Sequence, residues 1–407
     1  MTDRARRSIE TCRLIAGISE EPGRTTRRFL TPPVREVHRL LQSRMEALGM
    51  TARVDAVGNL RGLWQLAQKP GPRLLLGSHI DTVPDAGAFD GVLGVVLALE
   101  LVESAKAARL PLALEVVAFS EEEGVRFGIP FIGSRALSGR LDASLLQLKD
   151  ADGVTVKQAI QNFGLDPARI GEAVADLETV GFLELHIEQG PVLENENLSV
   201  AAVTSIVGQT RLDLAFTGHA NHAGTTPMHL RNDALAGAAE WIGRLESLAR
   251  SSQKLVATVG KLNVRPNAGN VIPGRAELSL DVRHVHDRIR RAAVDELLEI
   301  AGTIAGQRGL QFESAKKLDE PSVPMDERLT SFMTGALEVA GYPPRAMPSG
   351  AGHDAMIMAG RMPAAMLFVR SPGGVSHHPD ETVREEDVEA ALRVGEKFLE
   401  RLAAEVR

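Results

Sequence analysis

Histidines and carboxylates of metal-binding type stand at five well-separated points of this chain: His79, Asp90, Glu123, His186 and His377. An imidazole suits zinc, manganese, cobalt or nickel, and a carboxylate can bridge a pair of such ions, as two-metal hydrolysis requires. Each of the five falls at or near an expected strand end or sheet-edge loop, and five dispersed nitrogen and oxygen ligands suit two ions. Glu122, one residue before Glu123, can stand beside such ions without ligating them and act as general base on an attacking water. Taken singly, each has an ordinary explanation. His79 could cap a strand, Glu121-Glu122-Glu123 could be a solvated acidic turn, and His186 could be a satisfied core histidine. Their common placement makes them a candidate site.

The elements that must position them can be read from periodicity. A chain of 407 residues exceeds the size at which a single core stops growing, and 44% hydrophobic content supports more than one. Residues 8–50 read as two helices around a polar loop, followed by strands over 51–57, 59–65 and 73–76. The stretch 91–107 is apolar nearly all round, as a buried helix packed on a sheet would be, and 112–119 is a continuous apolar strand run of the kind covered on both faces. A strand over 182–190 carries His186. From 210 the pattern becomes strand 210–217, helix 233–251, strands 255–264 and 275–283, helix 287–306 and strand 310–316, the βαββαβ order of a ferredoxin-like unit. A helix over 327–339, a strand over 364–369 and a terminal helix close the chain. The expected fold is therefore α/β: a doubly wound mixed-sheet catalytic domain (1–208 and 325–407) with an inserted ferredoxin-like lid and dimerisation domain (209–324).

The bulk chemistry excludes other classes. A formal charge of -7 with interspersed signs argues against nucleic acid as partner, and neither a basic block nor an apolar span points to a membrane. Cys12 is the single cysteine, which rules out an intrachain disulfide or a thiolate metal site. With no apolar signal core near the start, a cytoplasmic location is expected. A small soluble substrate fits this composition.

Eight segments in order then carry a family likeness: Gly77-Ser-His-Ile-Asp-Thr-Val-Pro84, Phe89-Asp-Gly-Val-Leu-Gly94, Glu121-Glu-Glu-Gly124, Glu184-Leu-His-Ile-Glu-Gln-Gly190, His222-Ala-Gly-Thr-Thr-Pro-Met228, Asn270-Val-Ile-Pro-Gly274, Ser349-Gly-Ala-Gly-His-Asp354 and Ser376-His-His-Pro379. Over nearly its whole length the chain resembles the dinuclear M20-type amidohydrolases, which include allantoate amidohydrolase, N-carbamoyl-L-amino-acid hydrolase and β-ureidopropionase. The resemblance implies that His79, Asp90 and His186 hold one divalent ion and that Asp90, Glu123 and His377 hold a second, with Asp90 bridging. The ions would be manganese or zinc, with cobalt and nickel also suited. It further implies Glu122 as base, His222 as donor to the tetrahedral oxyanion, and Asn270 and Arg283 as holders of the substrate carboxylate. Gln209 and His353 are further substrate-binding candidates, and His378 is set aside in favour of His377. A histidine at position 186 favours the ureido-cleaving branch over the peptidases.

The expected activity is hydrolysis of the ureido C–N bond of allantoate, releasing ammonia and carbon dioxide, in a homodimer formed through the inserted domain. An N-carbamoyl-L-amino acid is the alternative substrate, because both present a ureido group beside a carboxylate. A peptidase and a non-catalytic binding protein on the same fold are the remaining alternatives; a missing ligand or base would favour the last, and none is missing.

Overall fold

In the computed structural model, residues 3–66, 72–176 and 178–405 are described. The chain divides into two compact units, Met1–Thr204 with Pro324–Arg407, and Ser205–Val323. The first half of the larger unit contains α1 (Asp3–Ala16), α2 (Pro32–Ala47), β1 (Thr51–Val54), β2 (Leu60–Trp64), β3 (Arg73–His79), α3 (Val92–Ala107), β4 (Ala113–Phe119), α4 (Ile132–Leu137), α5 (Val156–Asn162), β5 (Thr179–Ile187), α6 (Val192–Asn195) and β6 (Val200–Ile206). The smaller unit holds β7 (Gly208–Thr217), α7 (Ala234–Ser251), β8 (Val256–Thr258), β9 (Leu262–Arg265), β10 (Arg275–His284), α8 (Asp287–Arg308) and β11 (Gln311–Glu320). After β12 (Val323–Pro324), the chain returns to the larger unit with α9 (Glu327–Val339), β13 (Ala346–Ser349), α10 (Asp354–Met358), β14 (Ala364–Val369) and α11 (Glu385–Glu405).

The sheet of the larger unit runs β1-β2-β4-β3-β5-β14-β6-β12, with β13 also paired to β6. Its centre is parallel: β3 pairs in parallel with β4 and β5, and β5 with β14. The flanking pairs β1/β2, β2/β4 and β14/β6 are antiparallel. Every residue of β4 and of β14 is buried, as expected of strands covered on both faces. Helix α3, apolar on all sides, packs on β3 and β5. Because β4, β3, β5 and β14 are neighbours running the same way, their carboxyl ends open along one edge of the sheet, where α/β folds gather ligands. His79 ends β3, Ser120–Glu123 follows β4, His186 is the penultimate residue of β5, and β14 leads into the loop that carries His377.

Two local devices hold that edge. Gly91, at φ +66°, turns the chain from Asp90 into α3, and a β-carbon there would lie 2.5 Å from the His79 ring, so only glycine serves. At the end of β14 the buried Arg370 guanidinium grips Asp387 through two bonds of 2.8 and 2.6 Å, fixing the strand end to the first turn of α11.

The smaller unit has the strand order β11-β7-β10-β8, with β9 also on β10, all antiparallel. Alternation along β10 explains its two faces. Ala276, Leu278, Leu280 and Val282 point inward, into a core with Trp241 of α7 and Leu297 of α8, while Arg275, Glu277, Ser279, Asp281 and Arg283 point to the other face. Trp241 satisfies its buried indole N–H on the Leu297 carbonyl at 2.8 Å.

Some elements differ from the sequence expectation. The strand expected over 255–264 is two short strands, because Asp281 pairs with Thr258 and Leu278 with Leu262, which leaves one extra residue around Gly260 on that side, a bulge. The strand expected over 310–316 continues to Glu320 past an irregularity between Lys316 and Leu318. Strand β6, the short β13, and the short helices α4, α6 and α10 had no periodic signal long enough to separate them from loop. Among the described residues no helix is long and apolar enough to cross a membrane.

Candidate metal centre

Asp90 lies at the middle of the strand-end cluster, and its two oxygens face different partners. Oδ1 is 3.2 Å from His186 Nε2 and 3.7 Å from His79 Nε2. Oδ2 is 3.2 Å from His377 Nε2, which in turn is 3.4 Å from Glu123 Oε1. Two sets of three donors therefore share Asp90: His79, Asp90 and His186 on one side, and Asp90, Glu123 and His377 on the other, the donor atoms of each set lying within 4.8 Å of one another. Glu122 joins His79 and Glu123 in a further set of the same compactness.

The histidine tautomers are set by what lies behind the rings. Nδ1 of His79 is 3.0 Å from the Asp81 carbonyl and Nδ1 of His186 is 2.8 Å from the Ile187 carbonyl. A carbonyl can only accept, so each ring carries its proton on Nδ1 and turns the Nε2 lone pair toward Asp90, the arrangement by which metal-binding histidines are oriented. The two lone pairs then face each other at 3.5 Å. That juxtaposition is repulsive without a cation between them. Asp90 Oδ1 is buried and has no hydrogen-bond partner, an uncompensated acceptor pointing at the same spot. Donor types, tautomers and the orphaned oxygen all fit divalent cations of the zinc or manganese kind.

Electrostatics concentrate negative charge here. Asp81 is buried and accepts the backbone N–H groups of Glu122 at 2.9 Å and Glu123 at 3.0 Å, so it positions both acids as well as standing behind His79. Burial opposes ionisation of Asp90; with His186 and His377 protonated, the two rings hold it well below the usual carboxylate range. Burial, then Asp90, pushes Glu123 up to about 7. Burial pushes Glu122 well above its ordinary value, with Glu123 and Asp354 adding to the rise and His79 opposing it. Bonding to Asp90 raises His377 to about 9. Four of the five donor residues are enclosed to at least nine-tenths, whereas the His377 side chain is 48% exposed, so the cluster opens to solvent on its side.

Other candidates fall into place by unit. Glu121 is fully buried and takes no part in the two shared-Asp90 sets. His378 lies outside the cluster, near Asp380 on the surface. His353 is buried behind His186, with ring centroids 4.4 Å apart, and its Nε2 is 2.8 Å from Ser349 Oγ. In the smaller unit, the exposed His222 accepts the N–H groups of Gly224 and Thr225 on Nδ1 at 3.1 and 3.2 Å, which leaves the ring proton on Nε2. Asn270 lies on the neighbouring loop, its carbonyl accepting from Ala223 at 2.9 Å. Gln209 and Arg283 are directly opposed across β7 and β10. Both engage Asp281, Gln209 through one bond of 2.6 Å and Arg283 through two of 2.9 and 3.0 Å.

Asp81 and Gln189 are among the polar residues of the cluster that the sequence expectation did not include. Asp81 carries a local signal, two residues after His79 on the same strand-end loop. Gln189, with φ +59°, donates from Nε2 to Asp90 Oδ2 at 2.9 Å and follows His186 by three, where an amide has no metal-ligand signature to announce it.

Residues 75–401 match the model of Peptidase family M20/M25/M40, and the chain belongs to that family. It is 37% identical to a probable allantoate deiminase of Oryza sativa subsp. japonica, over 92% of this chain and 84% of that protein. It is 38% identical to an N-carbamoyl-L-amino acid amidohydrolase of Geobacillus stearothermophilus, over 93% of each. Among solved structures it is similar to an amidase of the hydantoinase/carbamoylase family from Burkholderia multivorans, with a TM-score of 0.91 and 32% identity over 98% of this chain and 97% of that one.

Removing the shared donor should cost more metal than removing its surface neighbour. Asp90→Ala is expected to lose most bound divalent ion in elemental analysis of purified protein, whereas His378→Ala keeps the wild-type content; equal content in the two variants would contradict the geometry.

Proposed function

We propose that this chain is a metal-dependent amidohydrolase that cleaves the ureido C–N bond of allantoate, releasing ammonia and carbon dioxide. The observation that carries the reading is the single carboxylate of Asp90 set between two donor triads with Glu122 beside them. His79, Asp90 and His186 would hold one divalent ion and Asp90, Glu123 and His377 the other. When bound, such ions supply Lewis-acid polarisation of the carbonyl and make water a better nucleophile near neutral pH. Glu122 takes the proton of the attacking water and passes it to the departing nitrogen, a shuttle suited to a carboxyl whose proton affinity is raised by burial and neighbouring acids. Gln189 braces Asp90, and Asp81 holds the backbone of Glu122 and Glu123 in register.

The same reading gives the residues of the smaller unit their roles. His222, its proton fixed on Nε2, donates to the oxyanion of the tetrahedral intermediate. Arg283 and Asn270 hold the substrate carboxylate, with Asp281 orienting the planar Arg283 fork and Gln209 in the same polar row. His353 supports His186 from behind. The unit at 209–324 acts as lid and as the interface of a homodimer, and the protein works in the cytoplasm. An N-carbamoyl-L-amino acid is the second reading, favoured by the 38% identity to the Geobacillus stearothermophilus relative.

Four measurements test this. Ammonia release over a panel of ureido acids with manganese present should be greatest for allantoate, and Glu122→Gln should lower kcat at least about a hundredfold while keeping its metal. Near-normal turnover in that variant would remove Glu122 from the mechanism. Arg283→Ala should lower kcat/KM for allantoate by about 10- to 150-fold, the equivalent of roughly 1.5–3 kcal/mol for a charged hydrogen bond. A loss smaller than about threefold places the carboxylate clamp elsewhere. Sedimentation velocity should give a dimer; a monomer at all concentrations tested would contradict the proposed interface.

A further inference from the structure

The loop between β14 and α11 carries a buried carboxylate that none of the roles above uses. Glu381 is 5% exposed. Its Oε1 accepts two backbone N–H groups, from Phe89 at 2.9 Å and from Asp90 at 3.0 Å. Its Oε2 lies 3.2 Å from Ser376 Oγ, and the same hydroxyl is 3.2 Å from Asp90 Oδ2. The hydroxyl has one proton, so Ser376 divides it between the two carboxylates. The Glu381 backbone N–H closes the loop on the His378 carbonyl at 3.0 Å.

These contacts join two stretches almost 300 residues apart in sequence. On one side is the backbone of Asp90; on the other is the residue directly before His377. His377 itself has φ +56°, a left-handed conformation uncommon for any residue with a side chain, though histidine adopts it more often than most. Room for the carboxylate is made by Gly87, where a β-carbon would lie 2.3 Å from Glu381 Cβ and 2.5 Å from Oε1. A carboxylate is costly to bury without partners, and the hydrogen bonds given for it here all come from groups at or beside two of the proposed metal donors.

We propose that Glu381 is a positioning residue for the cation site shared by Asp90, Glu123 and His377, setting the separation of Asp90 and His377 through the Phe89–Asp90 backbone on one side and Ser376 on the other. Glu381 touches no ion itself. It acts as outer support of the kind whose loss weakens a metal site without removing a ligand. This rests on the metal reading given above.

The test is titration of metal-free full-length protein with manganese(II) alone, read by calorimetry, with circular dichroism and thermal unfolding as checks on the fold. Glu381→Ala should weaken one of the two ions by about 10- to 100-fold while the protein stays folded. Glu381→Gln keeps a carbonyl oxygen for the two N–H groups and should stay within about threefold of wild type. Ser376→Ala, which cuts the second link without emptying the carboxylate pocket, should also weaken that ion, and it decides the matter if Glu381→Ala does not fold. Wild-type affinity in Ser376→Ala or in a folded Glu381→Ala, or equal losses in Glu381→Ala and Glu381→Gln, overturns the assignment. His377→Ala is the control: if it too binds manganese as wild type does, the metal reading has failed rather than the role of Glu381.

Discussion

The placement of one buried carboxylate, Asp90, between histidines drawn from three different strand ends is the constraint that the larger unit is built around. The carboxylate can sit there because β4, β3, β5 and β14 are parallel neighbours, so the residues that leave them emerge along one edge. An antiparallel pairing at any of these steps would send one donor to the opposite edge. The apolar, largely buried character of these strands is that of a parallel sheet covered on both faces, and the parallel arrangement gathers the donors. Gly91 then lets the Asp90 loop pass against the His79 ring, where any side chain would intrude.

Concentrating charge in this way has a cost that the same residues reveal. Asp81, Asp90, Glu121, Glu122, Glu184 and Asp354 are all buried around the cluster, with Glu123 only slightly less so. Burial raises the proton affinity of Glu121, Glu122, Glu184 and Asp354, and for the last three nearby histidines offset this only partly. Isolated carboxylates at this density would neutralise themselves by taking up protons. Divalent cations offer the other solution, and they also relieve the facing lone pairs of His79 and His186. The smaller unit solves a milder version of the problem. Its Asp281 gathers Gln209, Arg211 and Arg283 around one half-buried carboxylate, and Arg283 holds it through both oxygens.

Much of this could be read from the chain alone, for physical reasons. Continuous apolar runs marked the central strands, and the change to alternating and amphipathic patterns marked the strands and helices of 210–316. The histidines and acids stood out because they cluster at strand ends and on the loops that leave them. What escaped detection has little periodicity of its own. Strand β6, as long as β3, mixes alanine, threonine and serine into its apolar positions, and the bulge at Gly260 arises from pairing with β10, which a single strand does not disclose. Gln189 and Glu381 escaped for a related reason: their partners are distant in sequence, and a glutamate accepting backbone N–H groups of Phe89 and Asp90 leaves no trace in local spacing.

Anomalous diffraction from crystals grown with manganese or zinc tests the central claim most directly. The account predicts two peaks roughly 3.5–4 Å apart, as in two-metal hydrolases, lying on either side of the Asp90 carboxylate, one against His79 and His186 and the other against Glu123 and His377. A single peak, or peaks centred on Glu184, His186 and His353 with Asp90 left aside, would contradict it.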